Sequence, residues 1–369
     1  MSFFLTKTDS KIMYSIAIIL MLYHHISGFP EWYDFNYIYS INEAIEYPLS
    51  LWGGKLCVAI YAFISGYGIY VSIINKSSNM INYIINHLWS FYTRYWLVFL
   101  IFIPLNIYFQ VWDYTLLDLF LVFSGYKSYY NLEWWYVWEY IRMLIFFPVI
   151  YSLLLYLEKT FSKKIFYYLS LIIICIIVRK FAPYLPVFLV GILFAKHHIF
   201  EKLDSIISNK IFSIIFSIIF SIILLSIVLF LRSAEIVHMN SDFFIIPFFI
   251  YSIINLKHKC KFFNISKLLI QLSKYSIYMW LIHTFFAKYY LQQFILLPKY
   301  TILIFILLFL FSLTSSIPID KLYNYIQHNY TLHSNFISKY YYKIYLAFSF
   351  ILWIDFILLF IKSYAKYLI

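Results

Sequence analysis

Charged residues are scarce in this chain, at 12% of 369 residues, whereas hydrophobic residues make up 64%. A soluble globular protein carries roughly a quarter charged residues, so the composition excludes that class. No polar segment is long enough to form a separate soluble domain. The mean hydropathy of +0.81 indicates a membrane protein instead.

Cysteine is also scarce: Cys57, Cys175 and Cys260 are isolated in apolar surroundings, and no CxxC spacing occurs. This pattern excludes a disulfide framework and a cysteine-based metal site, and we expect no metal cofactor. The net charge is +12, but the lysines occupy short loops between apolar runs. Positive-inside bias explains that distribution, so we expect no nucleic-acid partner.

Long apolar runs are what the sequence has in abundance. Several reach the ~20 residues that a helix needs to cross a bilayer, and only helices or closed barrels span lipid. The sequence therefore predicts an all-α fold, a polytopic integral membrane helical bundle of about 10–11 transmembrane helices in the cell membrane. Lys7 and Lys11 precede the first span, roughly 12–29, which places the N-terminus in the cytoplasm. The acidic loop 30–48 then lies outside, and the basic loop 257–274 is cytoplasmic.

The first apolar run, KIMYSIAIILMLYHHISGFP from Lys11 to Pro30, carries His24 and His25 near its end. Two imidazoles there are costly to bury unless they face a polar cavity or partners. Two interpretations stay open: an interfacial pair that caps a membrane helix, or a reactive histidine in a membrane-embedded site. Tyr14 and His25 lie about 16 Å apart along a helix and share one face, whereas His24 points away from it.

Five further motifs follow along the chain, and each is weak alone. In chain order they are Gly54 to Tyr67, ending in Phe-Ile-Ser-Gly-Tyr; Arg94-Tyr-Trp; Trp134-Trp-Tyr, with Tyr140 and Pro148 beyond it; Leu185 to Gly191; and Leu272 to His283. Together with the first helix, their order and spacing resemble the acyltransferase-3 family of membrane O-acyltransferases. His25 aligns with the histidine of that family's first helix. Tyr14 stands where the family has a basic residue, and Lys11, one turn earlier, is a candidate replacement.

The resemblance implies transfer of an acyl group, usually acetyl, from cytoplasmic acetyl-CoA to a hydroxyl of an extracytoplasmic glycan or lipid-linked glycan. A neutral histidine within reach of a hydroxyl can remove its proton, or can carry the acyl group itself. The candidate catalytic residues are His25, His283 and His24. Arg94 and Lys11 are the candidates to hold the CoA phosphates. The candidate acceptor-binding residues are Trp134, Trp135, Tyr136 and Ser276.

The resemblance also sets the expected domain organisation. Residues 1–343 would form one acyltransferase-3-like membrane domain, in which a polar stretch at 318–343 follows the tenth span. Residues 344–369 would add a C-terminal transmembrane helix to the same bundle. No GxSxG motif occurs, so a second transfer step would need a partner or these same helices.

Plainer interpretations stay open for several of these residues. His283 could bond to a neighbouring helix, and the tryptophans that begin at Trp134 could belong to an interfacial aromatic belt. Glu139 and Arg142, three residues apart, favour a structural ion pair. Lys55, a lone cation near the end of a span, either extends to the membrane surface or contacts substrate.

Two other functions compete with acyl transfer. A polysaccharide transporter or polymerase of the cell envelope would share the hydropathy and the aromatic content, although the short and mostly acidic external loops do not favour a polymerase. A catalytically silent acyltransferase relative is the other alternative, because Tyr14 replaces the basic residue.

Overall fold

The computed structural model describes residues 4–29, 38–76, 79–109, 115–161, 164–179, 182–208, 214–233, 239–260 and 263–331. Within these residues the regular structure is helical, and the β-type pairing is an isolated bridge between Ile38 and Tyr300. The predicted final span near 344–361, and with it the extra helix of 344–369, lies outside the described residues.

The α-helices of this part of the chain vary from single turns to eight turns. They are α1 (Lys7–Ser27), α2 (Glu43–Pro48), α3 (Leu56–Lys76), α4 (Met80–Tyr108), α5 (Leu116–Phe123), α6 (Trp135–Thr160), α7 (Lys164–Val178), α8 (Leu185–Lys196), α9 (Ile199–Ser208), α10 (Ile214–Ser233), α11 (Ile246–Cys260), α12 (Phe263–Leu272), α13 (Ser276–Thr284), α14 (Gln292–Leu296) and α15 (Thr301–Thr331). Leu49–Gly53 and Phe285–Tyr290 are π-helical, and Leu132–Trp134 and Met239–Phe244 form 3₁₀ turns. The π-helical segments precede α3 and follow α13, and such segments are frequent near functional sites.

Helix α1 starts earlier than the predicted span because its first turn has a capping box. The Thr6 hydroxyl accepts a hydrogen bond from the Asp9 backbone N–H at 3.1 Å, and the Asp9 carboxylate accepts one from the Thr6 N–H at 2.9 Å. At the other end, the Gly28 N–H donates to the His24 carbonyl at 3.0 Å. Met13, Ala17 and Ile18 in the middle of α1 are fully buried, so other helices pack against this part of its surface.

The first turn of α1 is also bound to the end of α11. Asp9 is fully buried, and its carboxylate lies 2.6 Å from the Lys257 ammonium and 3.5 Å from His258 Nε2. Burial opposes ionisation of Asp9, but the hydrogen bonds from His258, Lys257 and Thr6 outweigh it and hold the pKa of Asp9 well below its ordinary range. This contact fixes the position of the N-terminal end of α1 relative to the C-terminal end of α11.

Helices α3 and α8 pack with their backbones in contact. A Cβ on Gly66 would lie 2.1 Å from the Phe188 carbonyl oxygen, and a Cβ on Gly191 would lie 2.2 Å from the Phe63 carbonyl oxygen. Only glycine fits at such a crossing, as is common between membrane helices. This closely packed pair lies beside α1, and α3 contacts it directly.

Four helical segments of the described chain are long and apolar enough to cross a bilayer: Glu43–Asn75, Met80–Tyr108, Leu132–Thr160 and Thr301–His328. Three shorter helices are also strongly apolar: Phe166–Val178, Leu185–Lys196 and Ile218–Arg232. Large apolar side chains such as Leu100 and Phe230 are exposed on these helices, as contact with lipid requires. The predicted all-α membrane bundle is therefore confirmed, whereas the number of crossings and the orientation of the N-terminus stay predictions.

One predicted boundary is wrong for a simple reason. The tenth span is predicted to end where the polar stretch 318–343 begins, yet α15 contains Pro318 and continues without a break to Thr331, the last of the described residues. Ile319 and Tyr323 are buried at a spacing of four residues, so the apolar stripe of the helix continues among the polar residues.

Candidate active site

The last turn of α1 holds His24 and His25 in the protein interior, where each is 5% exposed. Their ring centroids lie 5.0 Å apart, with 55° between the planes. Consecutive helical residues point about 100° apart, so the two rings have different neighbours. His24 Nδ1 lies 2.9 Å from the Ser50 carbonyl oxygen. The backbone at Gly54 is so close that a Cβ there would lie 2.6 Å from the His24 Cβ. His24 is therefore held against the turn that precedes α3.

His25 faces a carboxylate from a different part of the chain. His25 Nε2 lies 3.2 Å from an Oε2 atom of Glu133, and both side chains are largely buried. Glu133 belongs to the 3₁₀ turn that precedes α6. A carboxylate at this distance fixes the ring orientation of an imidazole and stabilises its protonated form.

A third imidazole, His283, lies beside His25, with 4.9 Å between the ring centroids. His283 is fully buried near the end of α13, and its Nδ1 lies 2.7 Å from the Trp280 carbonyl oxygen. A carbonyl can only accept, so Nδ1 carries the proton and Nε2 carries the lone pair. That Nε2 atom has no hydrogen-bond partner among the described residues.

A buried network connects the Glu133 turn to α13. The side-chain amide of Asn131 and the indole N–H of Trp134 both donate to the Leu281 carbonyl, at 3.3 Å and 3.0 Å. The Asn131 side-chain oxygen, Oδ1, accepts from the Thr284 hydroxyl at 2.9 Å and from the Glu133 N–H at 3.1 Å. The Glu133 carboxylate and His283 are therefore held at a fixed separation.

These groups adjoin a cavity of about 480 Å³. His24, His25 and Glu133 lie on its wall, and so does Tyr14, about 16 Å away along α1. The cavity therefore extends along about half the length of that helix. Much of its wall is aromatic, formed by Tyr14, Phe29, Tyr61, Phe91, Trp135, Tyr136, Tyr140, Tyr184 and Trp280.

Two cations, Arg94 and Lys274, lie on the part of the cavity wall away from His24 and His25. Arg94 donates from Nη1 to the Ser90 hydroxyl at 2.6 Å, and its guanidinium stacks 4.1 Å from the centre of the Tyr323 ring. Lys274 is exposed in the turn before α13, at the opposite end of that helix from His283. Neither cation forms an ion pair with an acidic residue in the part of the chain that the structure describes. We call Arg94 and Lys274 the cationic end of the cavity.

Position 14 is neutral and enclosed. The Tyr14 ring stacks on the Tyr61 ring at 5.3 Å with 17° between the planes. The Tyr61 hydroxyl donates to the Tyr14 carbonyl at 3.3 Å. Lys11, the predicted substitute for a basic residue here, does not lie on the cavity wall. Arg94 does, so Arg94 is the candidate of the two that brings a positive charge to the cavity.

The structure divides the predicted acceptor-binding residues into two groups. Trp135, Tyr136 and Ser276 lie on the cavity wall. Trp134 lies behind it, only 1% exposed, and packs edge-on against Tyr95 at 4.9 Å. Trp134 thus supports the site through its hydrogen bond and does not face the cavity.

Sequence reasoning missed two residues of the site, Glu133 and Lys274. Glu133 immediately precedes the Trp134 motif, and the sequence alone does not distinguish it from the other charged residues of the external segment 112–133. The signal that could have identified Glu133 is its position directly before the Trp134 motif. The predicted ion pair between Glu139 and Arg142 does form, within one face of α6.

A family model described as an acyltransferase domain matches residues 13–321. The chain belongs to the acyltransferase-3 family. No curated protein and no solved structure matches it. The match covers every cavity residue named above, so the cavity is the candidate site of acyl transfer in this membrane acyltransferase.

Proposed function

We propose that this acyltransferase moves an acetyl group from cytoplasmic acetyl-CoA to a hydroxyl of an extracytoplasmic polysaccharide. It would work as a multi-pass protein of the cell membrane with its N-terminus in the cytoplasm. The observation that carries the proposal is one cavity with a buried pair, His25 and Glu133, near one end and the cationic end some turns away. Because the chain belongs to an acyltransferase family, we favour acyl transfer over the transporter and polymerase functions considered above.

His25 acts as the general base in this proposal. Glu133 accepts the proton of His25 Nε2–H, which leaves the lone pair on Nδ1. As the acceptor oxygen bonds to the thioester carbonyl carbon, Nδ1 takes the hydroxyl proton, and Glu133 stabilises the imidazolium. The C–S bond then breaks, and the departing CoA thiolate recovers that proton from His25. The products are an acetyl ester and CoA.

His283 lies beside His25 but does not lie on the cavity wall. Its Nε2 atom can accept a hydrogen bond, but it has no proton to donate. We therefore assign His283 the role of positioning His25, and not of contacting the acceptor.

The donor would bind through its phosphates at the cationic end. Arg94 offers a planar set of N–H donors that suits phosphate oxygens, and Lys274 adds a mobile ammonium. The pantetheine arm would then extend along the aromatic wall toward the histidines. Acetyl-CoA placed in this way brings its thioester to His25 while its nucleotide stays at the cavity entrance.

The test uses membranes that contain the protein, acetyl-CoA labelled in the acetyl group, and glycan from cells that lack the gene. We expect label to enter the glycan as an alkali-labile ester, visible as O-acetyl signals by NMR. Glu133→Gln should slow transfer by about two orders of magnitude at unchanged protein level. Glycan that stays unlabelled with the unmodified protein would overturn the proposal.

A further inference from the structure

A group of hydrogen-bonding side chains lies on the cavity wall at the level of Tyr14. Ser65, a largely buried residue of α3, hydrogen-bonds through its hydroxyl to Tyr14 of α1 and to Tyr140 of α6. The Tyr140 hydroxyl lies 2.9 Å from Nε2 of His87 in α4. All four side chains lie on the cavity wall. Four helices therefore contribute one group each, and we call Tyr14, Ser65, His87 and Tyr140 the polar cluster.

The polar cluster adjoins the Arg94 guanidinium. His87, Ser90 and Arg94 share one face of α4, because they follow one another at intervals of three and four residues. Arg94 Nη1 lies 2.6 Å from the Ser90 hydroxyl, and Ser90 is about 4.5 Å along the helix from His87. A donor with its phosphates at Arg94 therefore places the atoms next to those phosphates beside the polar cluster.

The length of the donor agrees with this position. Tyr14 lies about 16 Å from His25 along α1. An extended chain advances about 1.2 Å per bond, so in acetyl-CoA the pantoyl hydroxyl lies roughly 11 Å from the sulfur atom and the first phosphate roughly 16 Å. The acceptor hydroxyl occupies the space between His25 and the thioester, which moves the sulfur a few ångströms toward the cluster. The pantoyl group of the donor then lies at the level of Tyr14.

The polar cluster also suits the pantoyl group chemically. This group carries a hydroxyl and an amide, and burial of either one without a hydrogen-bond partner is costly. A phenol or serine hydroxyl donates one hydrogen bond and accepts two, so it can bind a ligand while it is bonded within the cluster. Tyr61, Tyr136 and Trp280 on the same wall offer flat apolar surfaces to the methyl and methylene groups of the arm.

We infer that the polar cluster binds the hydroxyl and the adjacent amide of the pantoyl group of the donor. This inference rests on the proposed function, because it assigns one part of acetyl-CoA in that same cavity. It separates two tasks in donor recognition: Arg94 meets the charge of the phosphates, and the polar cluster recognises the neutral arm. Ser65 and Tyr140 are then residues that determine donor specificity.

The experiment compares two donors, acetyl-CoA and an analogue in which hydrogen replaces the pantoyl hydroxyl, called here the deoxy donor. Both carry a labelled acetyl group, and kcat/KM for transfer into glycan is measured in membranes that contain the full chain. We expect the unmodified protein to use the deoxy donor about 10- to 100-fold less well, because a group that binds the hydroxyl is left without its partner.

Ser65→Ala and Tyr140→Phe should lower kcat/KM for acetyl-CoA and reduce the difference between the two donors to about twofold. Each variant and the deoxy donor delete the same interaction, so their effects do not add. Arg94→Met should instead weaken both donors by the same factor, because the pantoyl contact stays in place. Tyr92→Phe is the matched control, since the Tyr92 hydroxyl donates to the Ser124 carbonyl at 2.8 Å and does not lie on the cavity wall.

Two outcomes would overturn the inference while acetyl transfer itself stands. The first is equal use of the two donors by the unmodified protein, a result that does not depend on how any variant folds. The second is a full difference between the donors in Ser65→Ala and Tyr140→Phe, together with a raised KM for the glycan, which would mean that the cluster binds the acceptor. Absence of transfer from acetyl-CoA with the unmodified protein would instead remove the proposed function and this inference with it.

Discussion

The two ends of the cavity are built differently. Near the histidines, the imidazoles are buried and oriented by fixed groups: Ser50 for His24, Glu133 for His25 and Trp280 for His283. At the cationic end the groups are less enclosed, and Lys274 is exposed. Groups that move protons need positions fixed within a fraction of an ångström, whereas a site that binds and releases a large charged donor needs access.

This comparison predicts that substitutions near the histidines lower kcat and that substitutions at the cationic end raise the KM for acetyl-CoA. The following predictions begin with the largest expected effect.

His25→Ala should reduce acetyl transfer by about 10²- to 10⁴-fold, because it removes the base that faces Glu133. The measurement is the rate of label transfer from acetyl-CoA, normalised to the amount of folded protein by size-exclusion chromatography. His24→Ala is the matched control, since His24 bonds to the Ser50 carbonyl instead. We expect a milder loss for this variant. Equal losses for the two variants would mean that the imidazoles act jointly or that His24 is the base.

Thr284→Val should lower kcat by about 10- to 100-fold, although Thr284 does not lie on the cavity wall. The change removes the hydroxyl that donates to Asn131 and so loosens the turn that carries Glu133. We therefore expect the pH profile of kcat to shift, with the KM for acetyl-CoA unchanged. Thr284→Ser keeps the hydroxyl and should restore both. A lower protein level with normal specific activity and a normal pH profile would show that the network only stabilises the fold.

Arg94→Met should raise the KM for acetyl-CoA about tenfold or more and leave kcat within about threefold, because a charge-assisted contact with phosphate is lost. Arg94→Lys should be intermediate. Lys11→Met is the control, since Lys11 does not lie on the cavity wall. A raised KM for Lys11→Met and a normal one for Arg94→Met would restore the sequence-based expectation that Lys11 replaces the family's basic residue.

Substitution of Asp9 should change the stability of the fold and leave the rate of acetyl transfer per folded molecule unchanged. Its pKa is depressed in the folded protein, so the stabilisation is present above its unfolded pKa, about 4, and is lost as pH falls through the folded value. Asp9→Asn should lower the free energy of unfolding by about 1–3 kcal/mol at neutral pH and make stability less dependent on pH below about 4. Thermal unfolding in detergent at several pH values measures this. Parallel pH curves for the two proteins would contradict it.

The sequence predicted the face of α1 and much of the bundle correctly. A spacing of eleven residues placed Tyr14 and His25 on one side of a helix, and both lie on the cavity wall. Such a prediction succeeds because helical periodicity is local. The pair of His25 and Glu133 could not be found in this way, because the two residues are more than a hundred positions apart and meet only when α1 packs beside the turn before α6.

Lys11 and Lys274 also show that sequence alone does not predict which residues lie on the cavity wall. Lys11 was chosen because it is close to position 14 in the sequence, yet it lies off the cavity wall, while Lys274 reaches the wall from the turn before α13. Which cation faces a cavity depends on how the helices pack, and hydropathy carries no information about that. The role of each site residue stays a prediction until the variants above are measured.

The glycine crossing of α3 and α8 bears on how far this sequence can change. At Gly66 and Gly191 a single methyl group would meet a carbonyl oxygen of the other helix at little more than 2 Å, whereas a Cβ on Gly68 would meet nothing within 4 Å. Three glycines that look alike in the sequence therefore differ in mutational tolerance. Drift can replace Gly68 with alanine at almost no cost, but the other two restrict the protein's evolutionary paths, because any larger residue there would have to arise together with a wider spacing of both helices.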